Sequence, residues 1–198
     1  MMTYYRTDDQ VIHEEEKLSD GVWVQMINPT HDECEEIAEK LMVDIDDVKA
    51  ALDVEESSRI ELQDGYTLIL VDIPAIEIRH DQRTYTTIPL GIILTQDIIV
   101  TVCTEDTPVL QNFVRSRVKE FSTKKKLRFV YQILYRTAAI YQANLRIIDK
   151  RRTEIEERVG SDTDDSDLIN LHVKNYSYPP FYSHIQNGEH PLYHPVSA

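Results

Sequence analysis

The chain has only two cysteines, Cys34 and Cys103, and no CxxC pair. Thiols so far apart in apolar settings build neither a disulfide framework nor a zinc site. They read as buried reduced thiols in a reducing compartment. No run approaches the roughly 18 consecutive apolar residues of a membrane-spanning helix. The N-terminus, MMTYYRTDDQ, is polar and acidic, with no signal peptide. As given, the chain is expected not to cross a bilayer and to be cytoplasmic. Positive charge is also short: 21 Lys and Arg face 35 Asp and Glu, for a net charge of −14. That balance disfavours nucleic acid and anionic membrane surfaces. It favours cationic partners, including hard divalent ions that prefer oxygen ligands. The plainer reading is an acidic surface that keeps the protein soluble. No P-loop, GxGxxG, HExxH or nucleophile elbow is present. A hydrolase working with carboxylates alone would need two acids converging across a cleft, and nothing supports one. The chain is expected not to be an enzyme.

Proline and glycine are missing together from Thr123 to Val159. Across that stretch apolar residues recur at helical spacing, at Leu127, Val130, Leu134, Ala138, Tyr141, Leu145, Ile148, Ile155 and Val159. An average globular helix has about 11–12 residues, so this one, about three times longer, reads as the start of a stalk. Its heptad-like face, Leu127, Leu134, Tyr141, Ile148 and Ile155, is expected to pack on the rest of the domain. Ser122 or Thr123 should cap it, and Gly160 with an acidic loop, GSDTDDSD, should end it. A further helix is expected from Asp167.

Upstream, residues 3–28 alternate as strands do. Val22, Val24 and Met26 share one face; Trp23, Gln25 and Ile27 share the other. Thr30 and Glu33 form a capping box for a helix with Cys34, Ile37, Ala38 and Leu41 inward. Asp44 caps a second helix, with Ile45, Val48 and Leu52 inward. Asp64-Gly65 between two β-rich runs predicts a hairpin over 59–74 with a type I′ turn, closed by Pro74. A second hairpin, Ile76–His80 with Tyr85–Pro89, should turn at Asp81-Gln82. A third, Leu90–Leu94 with Ile98–Cys103, should turn at Thr95-Gln96-Asp97. Thr107 and Pro108 open a helix expected to reach Phe121. After Leu171 the composition changes. The last 27 residues hold four of seven histidines, four of eight prolines and four of eleven tyrosines, and no fold follows from them.

In order, spacing and wording, these segments resemble the N-terminal cytoplasmic domain of the CorA-type magnesium transporter family. EESSRIELQDGYTLILVDIP (55–74), TIPLGIILTQDIIVTVC (87–103) and STKKKLRFVYQILYRTAAIYQANLRIIDKRRTEIEE (122–157) carry the resemblance, and the helix pair at 30–53 fits it. It covers roughly residues 1–171. It implies an α+β fold, with a mixed, largely antiparallel sheet flanked by helices and followed by a long C-terminal helix. The expected divisions are 1–121 as the α/β domain, 122–171 as the helical region and 172–198 as an irregular tail. The resemblance also implies a homo-oligomer, a pentamer in the family, attached to the cytoplasmic face of the membrane only through C-terminal helices missing here. The family's Gly-Met-Asn pore signature is absent, so the pore is not expected in this chain. A frameshift or rearrangement near codon 171 is the expected origin of the tail.

The resemblance further implies magnesium sensing by carboxylates at protomer interfaces, with Mg2+, or Co2+, Ni2+ or Zn2+, as the ion. The candidate metal residues are Asp44, Asp46, Asp47, Asp53, Glu55 and Glu56. Each also has an ordinary reading: a carboxylate in a first helical turn is favoured by the helix dipole without metal. Asp72 is a weaker candidate. Asp162, Asp164, Asp165 and Asp167 lack the central glycine and terminal glutamate of a calcium loop and read as a solvated linker. His172, His184, His190 and His194 lack zinc-ligand spacing. His31 reads as a first-turn residue and His80 as a strand end. Lys124, Lys125, Lys126 and Arg128 read as a solvated face or as contacts to the acidic surface. The function expected is thus a metal-sensing regulatory domain of a CorA-like magnesium transporter, lacking the pore. The alternative is a free-standing soluble interaction domain on the same scaffold, without metal response.

Overall fold

The computed structural model describes residues 1–9, 11–79 and 82–161. It divides into two compact units. One comprises residues 1–75 and 88–139; the other comprises 76–87 and residues from 140 onward.

The sheet has seven strands: β1 (Met2–Asp8), β2 (Val11–Glu15), β3 (Trp23–Ile27), β4 (Arg59–Leu62), β5 (Thr67–Arg79), β6 (Gln82–Leu94) and β7 (Ile99–Cys103). Their order is β2-β1-β3-β7-β6-β5-β4. β3 pairs with β7 in parallel, Val24 beside Val100. The β1–β2, β1–β3, β4–β5 and β6–β7 pairs are antiparallel. The fold is therefore α+β with a mixed, largely antiparallel sheet, accompanied among the described residues by α1 (His31–Leu41), α2 (Ile45–Lys49), α3 (Pro108–Val114) and α4 (Lys126–Ser161).

Strand alternation gives the sheet two apolar faces. On one, Val22, Val24, Met26, Leu68, Leu70, Ile93, Val100 and Val102 meet Cys34, Ile37 and Ala38 of α1 and Val48 of α2. On the other, Trp23 lies edge-on to Phe113 of α3, to Phe121, and to Phe129 of α4, whose ring centroid is 5.0 Å away. The indole Nε1–H donates to Thr101 Oγ1 at 2.8 Å, fully buried, which satisfies the one polar atom of that ring. Cys34 and Cys103 are free and buried, as expected. Burial pushes the Cys103 thiol up to about 12, so it stays protonated and unreactive.

Several expectations need correction. Pro74 does not end its strand: β5 continues to Arg79, and the two later hairpins merge, because β6 runs unbroken from Gln82 through Pro89 to Leu94. The reason lies in the neighbours. β4 pairs β5 only as far as Leu70, and β7 pairs β6 only from Leu90. Beyond those points neither strand has a ladder partner on that side among the described residues, and a residue without an N–H there costs no ladder bond. The Asp64-Gly65 turn is not type I′, which needs positive φ at both positions; Gly65 has φ +85 and Asp64 is not in that region. α3 stops at Val114, with Ser116 at φ +52 just past its end, rather than reaching Phe121. Neither Ser122 nor Thr123 caps α4 with its side chain. Thr123 instead faces β1: its N–H donates to Thr7 Oγ1 at 2.9 Å, and the Thr7 N–H returns to Thr123 Oγ1 at 3.2 Å.

The inward face of α4 is also different. Phe129, Val130, Ile133 and Thr137 are buried, whereas Leu127 is 78% exposed and Leu134 39%. The seven-residue repeat drifts by roughly 20° per heptad around a straight helix, and the side that meets the aromatic cluster is the neighbouring one. In the second unit, α4 carries the i,i+4 pairs Lys150–Glu154 and Arg152–Glu156. These are ordinary surface pairing of the kind expected there.

Candidate functional site

The candidate carboxylates lie along the segment from the start of α2 to the start of β4. Helix α2 needs an N-cap, and Asp44 supplies it: its Oδ1 accepts from the Asp46 N–H at 2.9 Å. Asp47 sits one turn on, and its Oδ2 accepts a 2.6 Å hydrogen bond from the Tyr66 hydroxyl. The same hydroxyl oxygen accepts from the Asp44 N–H at 3.2 Å. Tyr66 thus ties the turn before β5 to the head of α2. Burial first, and the Asp47 carboxylate next, push its phenol above the usual value.

After α2 a short 3₁₀ turn, Ala50–Leu52, ends at Asp53. Asp53 Oδ1 accepts from the Glu55 N–H at 3.0 Å, an Asx-type turn. Glu56 pairs with Arg59, whose Nε also donates to Glu61 Oε1 at 2.6 Å. Burial alone would lower the Arg59 pKa, but the Glu61 and Glu56 contacts outweigh it and the guanidinium is held above its ordinary value. Asp72 Oδ2 accepts from Ser58 Oγ at 3.3 Å.

The six candidates are therefore neighbours along one surface, but they do not converge. Among the described residues no group of three or more His, Cys, Asp or Glu could hold a metal ion. Glu56 has a cationic partner. Asp44, Asp46, Asp47, Asp53 and Glu55 have none within ion-pair distance among the described residues. Asp44, Asp46, Asp53 and Glu55 are exposed. Chemically, the arrangement offers open oxygen donors singly or in pairs, which suits an ion that keeps most of its water.

Sequence reasoning missed Tyr66, Arg59 and Ser58, the residues that fix these acids in place. The one available signal was position: Tyr66 follows the Asp-Gly turn, whose return brings it under α2. The basic cluster makes local contacts. Lys124 lies 3.9 Å from Asp8, Lys126 Nζ donates to the Thr95 carbonyl at 2.7 Å, and Arg128 pairs with Glu120. His31 lies in the first turn of α1, 3.9 Å from Glu35. His80, the acidic loop from Asp162 to Asp167, the helix expected there and the tail histidines lie outside the described residues.

Comparison with known proteins bears on the family and the fold. The sequence profile of a family described as CorA-like Mg2+ transporter protein matches residues 19–173. The cobalt/magnesium transport protein CorA of Methanocaldococcus jannaschii is 23% identical over 155 residues, covering 75% of this chain and 45% of that protein. The chain thus spans less than half the length of that relative. Among solved structures, the soluble domain of CorA from the same organism superposes with a TM-score of 0.72 at 18% identity, over 86% of this chain and 69% of that one. The complete CorA magnesium transporter of that organism gives 0.67 at 16% identity, over 100% and 65%. The ZntB cytoplasmic domain from Vibrio parahaemolyticus gives 0.62 at 13% identity, over 88% and 70%. At such identities the likeness to these structures is one of fold.

Proposed function

The chain belongs to the family of CorA-like Mg2+ transporter proteins, and from that premise we propose that it is the cytoplasmic, metal-sensing part of a divalent-cation transporter that self-associates. One observation carries the reading. Residues 44–55 hold five carboxylates against Lys49 alone, and none of the five has an ion pair among the described residues. Copies brought together along this surface would set like charges against one another. A divalent cation between them relieves that repulsion.

Asp46, Asp53 and Glu55 are the residues that would hold the ion, each through one or two oxygens, with retained waters completing its shell. A hard, oxygen-only donor set suits Mg2+, and Co2+, Ni2+ or Zn2+ could occupy the same oxygens. Asp44 and Asp47 keep the head of α2 in place through their bonds to the Asp46 N–H and Tyr66. Ion conduction would belong to membrane-spanning helices, and no helix among the described residues is long and apolar enough to be one.

The test is thermal unfolding in increasing MgCl2 against NaCl of equal ionic strength. An ion at ten times its dissociation constant stabilises by about 1.4 kcal/mol, or roughly 3–6 °C in Tm for a protein of this size. The triple variant D46N/D53N/E55Q should lose that rise. A Tm indifferent to Mg2+, or an equal rise in the variant, would sink the reading and favour a soluble interaction domain without metal response.

A further inference from the structure

We propose that the cleft between α1 and the segment joining β2 to β3 binds a small zwitterion with an apolar side chain, an amino acid or a dipeptide. The cleft offers about 590 Å³, within the roughly 300–1,000 Å³ of small-molecule sites. Its floor is apolar. Met2 and Tyr4 of β1 line it together with Leu18, and all three pack against the buried core. Both walls are tied to that floor. The Met2 N–H donates to Glu33 Oε1 at 3.0 Å, which fixes β1 to α1. Arg6 Nη2 donates to Ser19 Oγ at 2.5 Å and to the Asp20 carbonyl at 2.9 Å, which fixes the opposite wall, just past Leu18, to β1. A ligand would thus enter a largely preformed site and lose little affinity to ordering it.

The polar groups of the cleft select the ligand class. The Tyr4 hydroxyl donates to Met2 Sδ at 3.6 Å, and a thioether is a weak acceptor. Burial pushes the phenol above its ordinary value, although Lys40 pulls the other way. An O–H donor therefore stays in the floor at neutral pH, poorly used by its present partner. On the α1 wall, Lys40 Nζ lies 2.5 Å from Glu36 Oε1, so that pair neutralises itself. On the opposite wall stand Glu16 and Lys17, and neither forms an ion pair among the described residues.

The lining is thus electrically balanced, two carboxylates and two ammoniums, in a chain whose net charge is −14. A ligand with one charge only would meet Glu16 or Lys17 as a like charge, with nothing to offset it. A ligand with both meets each with its opposite. Its carboxylate takes the Lys17 ammonium and the Tyr4 O–H, its ammonium takes Glu16, and its side chain covers Met2 and Leu18. Charged hydrogen bonds of this kind fix orientation, and the apolar floor supplies the burial. The cleft shares no residue with the acidic segment 44–55, so this binding is independent of metal sensing.

The experiment is a methionine-methyl NMR titration of the full chain with L-leucine and with L-leucyl-L-leucine. The Met2 methyl should shift, with a dissociation constant of about 0.1–10 mM for ligands of this size, and the Met42 methyl, outside the cleft, should stay still. The tighter of the two zwitterions tells amino acid from dipeptide. Isoamylamine, which is leucine without its carboxylate, and isocaproate, which is leucine without its amine, should each bind about tenfold more weakly, as loss of one charged hydrogen bond brings. Lys17→Met and Glu16→Gln should weaken leucine binding by a similar factor, and Lys125→Met, away from the cleft, should not. Far-UV circular dichroism checks folding; Lys17→Ala or Glu16→Ala replaces a variant that fails it. A Met2 methyl unmoved by either zwitterion well above that range, an amine or an acid that binds as well as leucine, or a Lys17 or Glu16 variant that binds like the wild type would overturn the proposal. None of these outcomes touches the rise of Tm in MgCl2, which is read separately.

Discussion

Removing a single oxygen, in Tyr66→Phe, should measurably loosen the head of α2. The hydroxyl donates to Asp47 at 2.6 Å and accepts from the Asp44 N–H at 3.2 Å. A hydrogen bond to a charged partner contributes about 1.5–3 kcal/mol net where water is excluded. Tyr66 is half-buried and the acidic surface is open, so screening reduces the expected loss to about 1–2 kcal/mol. In a protein of this size that is a fall of roughly 2–8 °C in Tm. Urea unfolding at neutral pH measures it, and Asp47→Asn completes a double-mutant cycle whose coupling should be about 0.5–1.5 kcal/mol. The pH dependence adds a second readout. The folded phenol has a pKa above its unfolded value, from burial first and Asp47 next. Its contribution is therefore fully present below about pH 10 and is lost as pH rises through the folded value. The gap between wild type and variant should close on the alkaline side. A variant within 0.3 kcal/mol of wild type at neutral pH, a resolution within reach of such comparisons, would refute the claim that this hydroxyl anchors the helix.

Two further substitutions probe the scaffold that presents the acidic surface. Thr101→Val keeps the shape but strips the acceptor from the buried Trp23 Nε1–H. It should cost about 1–3 kcal/mol, read by urea unfolding through the fluorescence of the chain's one tryptophan; no loss would mean that the indole finds another partner. Gly91→Ala places a Cβ 3.0 Å from Ala51 Cβ, where the 3₁₀ turn after α2 lies on β6. It should destabilise by about 1–3 kcal/mol through overpacking, and Ala51→Gly in the same chain should recover most of the loss in Tm. Failure of that rescue would remove the steric explanation.

Local rules were legible in the sequence wherever donor and acceptor lie within a few residues. Thr30 and Glu33 form the capping box as read, with Glu33 Oε2 accepting from the Thr30 N–H at 2.9 Å. Asp44 and Thr107 cap the helices assigned to them. The α+β class and the mixed sheet could be anticipated from three apparent hairpins and a long helix. The length of β5 and β6 could not. Whether a proline breaks a strand depends on whether a neighbour needs its N–H at that position, and the neighbours β4 and β7 are set by tertiary pairing. The packed face of α4 was likewise hidden. Several apolar spacings fit one helix, and the choice among them is made by Trp23, distant in sequence, together with Phe113 and Phe121 of the preceding segment.

The candidate site was half legible, for a physical reason that bears on its function. Carboxylates at helix starts and turns are expected on backbone grounds alone, and Asp44 and Asp53 do cap backbone amides. A capping role, however, uses one oxygen and leaves the negative charge in place. Asp44 and Asp53 could cap equally well as asparagine or serine, with no charge to carry. What capping and the helix dipole leave unexplained is the crowding: five carboxylates within residues 44–55 beside one lysine. Glu56 and Glu61 show how this fold neutralises carboxylates when a cation is at hand: Arg59 clamps both. Along α2 no such cation is in place among the described residues. That charge is what a divalent ion would neutralise under the proposed function. If the ion bridges copies across this surface, light scattering during a Mg2+ titration should show a mass that rises with the ion, and a mass indifferent to Mg2+ would refute bridging.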